Sequence, residues 1–173
     1  MILMEQEMTA SLKELRPDSQ AFSLFNPAFC AVLLNSACKG YDQMAKASLP
    51  ISLAFLILPN AMHKPTRDSL PATVASSMWN WIKNHPDILY DLPPRVRELR
   101  PYTAKGMEFG IRTGLLRSSS GHISCGKLQK GVSVENPTKD WEDCLAASFF
   151  LGKWFGKWGP DQSTILSRWG MQP

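Results

Sequence analysis

The 173 residues contain no C-x-x-C pair, no H-E-x-x-H, no G-x-S-x-G, no P-loop and no G-x-G-x-x-G. Those patterns build zinc sites, hydrolase elbows and phosphate cradles, so the commonest routes to catalysis are missing. Histidine is scarce, with His63, His85 and His122 alone. His85 before Pro86 suits a helix end, where a cation complements the dipole. His122 beside "SSSG" (118–121) reads as a wing residue, with backbone-phosphate contact as the alternative; the turn lacks the strand-loop-helix context of a phosphate loop. Acids do not cluster either: Glu135 stands by itself, and Asp140 with Asp143 suits a helix start, so a two-metal nuclease site is excluded. Cys30, Cys38, Cys125 and Cys144 have no metal-ligand spacing and read as reduced core filler. Neither a metal nor a cofactor is expected.

Long apolar runs are missing too. The longest, Leu49–Met62, holds two prolines and falls short of the ~20 residues of a membrane span. Glu5, Glu7 and Lys13 interrupt any apolar leader, so a soluble, cytoplasmic protein is expected, with no membrane partner.

What is present is a core. A hydrophobic share of 44% with six Trp and eight Phe excludes a disordered chain and needs no disulfide or metal to fold. The length fits one domain, read here as residues 25–173 behind an N-terminal extension, 1–24. The net charge is +4 but uneven: from Arg95 to Lys139 nine Lys and Arg face three acids. A basic middle in a slightly acidic remainder fits a nucleic-acid face or a solvated surface.

The pattern is mainly α. In "FNPAFCAVLLNSACKGY" (25–41), Asn26 suits the N-cap, Pro27 the first turn and Gly40 the left-handed C′ position. "SLPISLAFLILP" (48–59) is a buried strand or a buried helix. "PATVASSMWNWIKNH" (71–85) reads as a helix from Pro71 to the stop at Pro86. After Pro93–Pro94, a short helix, a break at Pro101 and a helix from Tyr102 to about Thr113 lead to Gly114. "LLRSSSGHISCGKL" then alternates around a Ser/Gly turn, the signature of a β-hairpin. Helices running into a hairpin outline a winged helix over about 95–128, whose cations Arg95, Arg97, Arg100, Arg112, Arg117 and Lys127 are candidate contacts to double-stranded DNA. The last long helix, "WEDCLAASFFLGKWFGKWG" (141–159), is capped by Asp140 and apolar nearly all round, so it lies in the core or against a partner. Its rings Trp141, Phe149, Trp154, Phe155 and Trp158 are the candidate partner-binding residues. The fold class is therefore a compact helical domain with a winged-helix-like hairpin.

The densest chemistry lies in "LILPNAMHKPTRDSLPATV" (56–74), with Asn60, His63, Thr66, Arg67 and Asp68. His63, Arg67 and Asp68 could serve as base, anion clamp and orienter. The structural alternative is a connector: buried carbonyls at one helix end and free amides at the next need partners, and Thr66, Arg67, Asp68 and Ser69 can supply them. The connector reading is favoured.

Several segments together resemble a known family. "FNPAFCAVLLNSACKGY", the Leu58–Pro71 pattern L-P-x-x-x-H-x-x-T-R-x-x-L-P, "MWNWIKNHPDIL", "RVRELRPYTAKGMEFGIRTGLL" and "FFLGKWFGKWGPDQSTILSRWGMQP" run in the order seen in middle components of three-component ABC systems. The resemblance spans roughly 25–173 and includes no catalytic motif. It implies a non-enzymatic adaptor in antiphage defence of the Lamassu type, bound to an SMC/Rad50-like ATPase and to an effector subunit, often a nuclease.

Overall fold

The computed structural model describes residues 25–127, 137–159 and 161–171; the N-terminal extension, 1–24, and all but the last three residues of a polar, turn-rich linker read from sequence at 129–139 lie outside them. Eight helices and three short strands occur among the described residues. Helix α1 (Pro27–Ala45) is the central element, packed along α7 (Lys139–Trp158) on one side and α6 (Leu92–Arg112) on the other. Its start is as the sequence dictates: Asn26 Oδ1 accepts from the Ala28 amide at 2.8 Å, with Pro27 in the first turn. Its end is not. The helix runs past Gly40 to a left-handed cap at Lys46, φ 53°. Gly40 serves close approach instead, because a Cβ there would lie 2.2 Å from the Phe149 carbonyl oxygen. Gly152 does the same from α7, where a Cβ would lie 2.1 Å from the Ala37 oxygen. Real Cβ contacts never come that near, so two backbones meet here because neither side chain exists.

The ambiguous apolar run is both strand and helix. Leu49–Pro50 forms β1, and α2 (Ile51–Ala61) follows at once, its residues from Leu56 to Ala61 all buried. Short helices α3 (Lys64–Ser69), α4 (Met78–Asn84) and α5 (Pro86–Tyr90) lead to α6. The helix expected from Pro71 starts seven residues later, with Ser77 as its N-cap. The intervening backbone has other partners: Trp154 Nε1 donates to the Ser76 carbonyl at 2.9 Å and Trp158 Nε1 to that of Val74 at 3.0 Å. Buried indole N–H groups need acceptors, and a non-helical stretch supplies them.

Helix α6 carries straight through Pro101, where a break was expected. Pro101 and Arg97, whose carbonyl loses its helical donor to the ring, are both exposed, so water can serve that carbonyl and the helix survives. Pro93 and Pro94 fall in the first turn, where no amide is required. Gly114, φ 74°, ends the helix as expected. The hairpin then forms from β2 (Leu116–Ser119) and β3 (His122–Cys125) around Ser120 and Gly121, both with positive φ as a two-residue I′ turn demands. It does not stand free. Leu49 and Pro50 pair with Ile123 and His122, giving the order β1-β3-β2, and the Ile51 amide donates to the Gly121 carbonyl at 3.0 Å.

The C-terminal helix α8 (Gln162–Arg168), capped by Asp161, delivers Trp169 into the core. There Trp81, Trp154, Phe155 and Trp169 make one aromatic cluster, with Trp81–Trp154 and Phe155–Trp169 edge-on at 5.6 and 5.7 Å. No described helix is long and apolar enough to cross a membrane.

Candidate functional site

The connector after α2 is held by one arginine. The Arg67 side chain is 7% exposed. Its Nη1 donates to the Ala61 carbonyl at 3.0 Å, at the end of α2, and to Cys144 Sγ at 3.2 Å. Its Nη2 meets the Asp140 carboxylate in the first turn of α7. One guanidinium thus satisfies a helix-end carbonyl and joins α2, α3 and α7, which its planar fork of donors allows. Asp140 is the ion partner here and Thr138, not Asp140, is the N-cap, its hydroxyl accepting from the Trp141 amide at 3.2 Å.

Most of the other connector groups are occupied as well. His63 Nδ1 shares a 2.8 Å hydrogen bond with the hydroxyl of buried Thr66. Burial and then the Arg95 cation hold the His63 pKa below its usual value, against the opposing pull of Asp91. Asp68 pairs with Lys64 at 2.6 Å on the solvent side. Asn60 Nδ2 donates back to Leu56 at 2.8 Å, while its buried Oδ1 has no partner. His63, Arg67 and Asp68 are therefore not brought together as base, clamp and orienter. Burial pushes the Cys144 thiol up to about 11, so beside Arg67 it stays an unreactive thiol. No cluster of metal-ligating side chains occurs among the described residues.

The aromatic candidates of α7 divide in two. Trp154 and Phe155 are fully buried in the chain's own core, out of any partner's reach. Trp141, tilted against Phe29 with ring centroids 5.6 Å apart, Phe149 under the Lys153 ammonium at 4.9 Å, and Trp158 are half-buried. The basic candidates divide likewise. Arg97, Arg100, Arg112, Arg117 and Lys127 are exposed. Arg95 folds inward: its Nη2 donates to the Ile88 carbonyl at 3.2 Å, and its buried Nε and Nη1 have no partner. Arg117 Nη2 is tied to the Cys125 carbonyl at 3.1 Å, across the hairpin.

One feature escaped the sequence reading. An open cleft of ≈ 590 Å³ lies between the start of α1 and the end of α6, lined by Pro27, Lys105, Glu108, Phe109, Arg112 and Thr113. Its only sequence signal is Phe109 and Ile111 placed among the charges of α6.

Comparison with known families decides the identity. The model for the ABC-three component (ABC-3C) system Middle Component 3 matches residues 16–173. The chain belongs to that family. No curated protein and no solved structure matches it closely enough to count as a relative. For a middle component, whose family name places it within a multi-component system, a connector whose Arg67, Thr66 and Asp68 are held by the chain's own groups, beside unfilled exposed surface, is a coherent arrangement.

Proposed function

We propose that this middle component is a non-enzymatic adaptor, acting in the cytoplasm to link an SMC/Rad50-like ABC ATPase to an effector in a Lamassu-like antiphage defence complex. The observation that carries the reading is the Arg67 clamp: the residues with the most chemical potential are committed to holding α2, α3 and α7 together. ATP-driven movement of the ATPase would be passed on mechanically, through the half-buried rings Trp141, Phe149 and Trp158. Co-expression of the three components followed by affinity purification tests this. Recovery of both neighbours with the chain is expected, and His63→Ala retains defence in cells. A chain that binds neither neighbour overturns the reading.

A second reading, direct contact with duplex DNA, is favoured by the topology. The order β1-β3-β2, with α6 leading into the hairpin, resembles a winged helix, and Arg97, Arg100, Arg112, Arg117 and Lys127 are exposed around it. A gel-shift salt titration of the isolated chain tests it: binding at low salt that falls steeply with salt supports DNA contact, and none at low salt removes it.

A further inference from the structure

We infer that the cleft between α1 and α6 is a docking groove for an acidic segment of a partner protein that inserts an apolar side chain; this rests on the adaptor reading and names where one partner is gripped. The ≈ 590 Å³ cleft has an apolar floor, Pro27 and Phe109, between two cations, Lys105 and Arg112. Seven residues apart on one helix, those cations share a face about 10.5 Å apart along the axis, with Glu108 and Phe109 between them. Lys105 has no ion pair among the described residues. Arg112 has only a loose one, 3.7 Å to Glu108, with both side chains mostly exposed. Such a surface pair contributes little, so Arg112 is free to turn to an incoming carboxylate.

Apolar surface stays exposed at the cleft. Phe109 in its lining and Phe25 near Pro27 are among the five large hydrophobics left exposed among the described residues, at 38% and 37%. Phe25 lies two residues before Pro27, its ring tilted against that of Tyr102 of α6 with centroids 4.5 Å apart. Exposed rings beside an arginine are the composition of a protein interface centre. A duplex offers phosphates to the cations but nothing for the exposed Phe109 ring. Two cations against the single carboxylate of Glu108 favour an acidic segment, and the ring between them selects a protein over a nucleic acid.

The test uses the full chain with the ABC subunit and the third subunit of its own system as separate titrants, and a short DNA duplex as a third. Lys105→Glu with Arg112→Glu, and separately Phe109→Ser, are compared with wild type; a melting curve checks that each folds. The expected result is at least about a tenfold loss of affinity for one of the two subunits in both variants, with Lys105→Arg and Arg112→Lys retaining most of it. Equal binding of wild type and variants to both subunits overturns the groove while leaving the adaptor reading standing. Binding to neither subunit by wild type overturns both. Loss of duplex binding alone, with subunit binding unchanged, overturns the groove in favour of DNA.

Discussion

Helices α6 and α7 are nearly equal in length, 21 and 20 residues, and dispose of their chemistry in opposite ways. Helix α7 has the rings that look like a docking surface, yet Trp154 and Phe155 are wholly inside and Trp158 uses its N–H to fix a loop carbonyl. Helix α6 looks like an ordinary amphipathic helix, yet its outer face leaves Lys105, Phe109 and Arg112 around an unfilled cleft. Ring density thus reports the demand for a core. Surface available to partners is found where apolar atoms stay exposed after that core is filled.

The sharpest way to break this contrast is to disturb the α1–α7 contact. Gly152→Val places side-chain atoms against the Ala37 carbonyl, which is backbone and cannot swing aside. A loss of about 3 kcal/mol or more is expected by denaturant titration, whereas Ala104→Gln on the exposed face of α6 shifts stability by less than about 0.5 kcal/mol. Next comes Arg67→Ala. It leaves the Ala61 carbonyl and Cys144 without their donor, and the half-exposed Asp140 contributes little to the loss. About 2 kcal/mol is expected, with Arg67→Lys recovering only part, because an ammonium gathers its donors on one nitrogen and cannot reach acceptors arranged around both Nη1 and Nη2. Trp158→Phe leaves a smaller aromatic ring and removes the hydrogen bond to Val74, for about 1 to 2 kcal/mol.

The connector also sets a pH response. The His63 pKa is lower folded than free, so the unfolded chain binds the proton more readily. Stability is full above the free value near 6.5 and falls as pH drops through the folded value. His63→Gln should flatten that slope in melting curves between pH 7 and 5; an unchanged slope would place the proton uptake elsewhere. Asp143 and Asp161, both held below 3.8, act only at lower pH.

Legibility in the sequence followed the range of the interaction. The Asn26–Pro27 start, the Gly114 stop and the Ser-Gly turn were all readable, because each depends on a few neighbouring residues. Arg67 as a clamp was readable from the need of a helix end for donors, although its partner Asp140, 73 residues away, was taken for a cap. Gly40 misled because a left-handed cap and a close helix contact both call for glycine, and only the position of α7 separates them. Pro101 misled because its effect depends on which way the freed carbonyl faces. The loop at 71–77 misled because its hydrogen bonds come from tryptophans more than 75 residues on. The cleft involves Pro27 and Phe109 from two helices, so no local window contains it.

The smallest expected effect repeats the comparison within a single turn of α6. Arg95 and Arg97 are two residues apart and were indistinguishable as candidate phosphate contacts. Arg97 is exposed, so Arg97→Gln should alter stability by less than about 0.5 kcal/mol. Arg95 is turned inward with two buried nitrogens unpartnered, and burial lowers its pKa against the pull of Asp91. Replacing an incompletely satisfied buried cation by an apolar side chain of similar length removes a desolvation cost along with one hydrogen bond. Arg95→Met is therefore expected to leave stability unchanged or raise it by up to about 1 kcal/mol, and to leave any salt-dependent DNA retention intact. Arg97→Gln is expected to weaken that retention if the duplex is contacted. A melting curve and a salt titration on the same two proteins separate the inward arginine from the outward one.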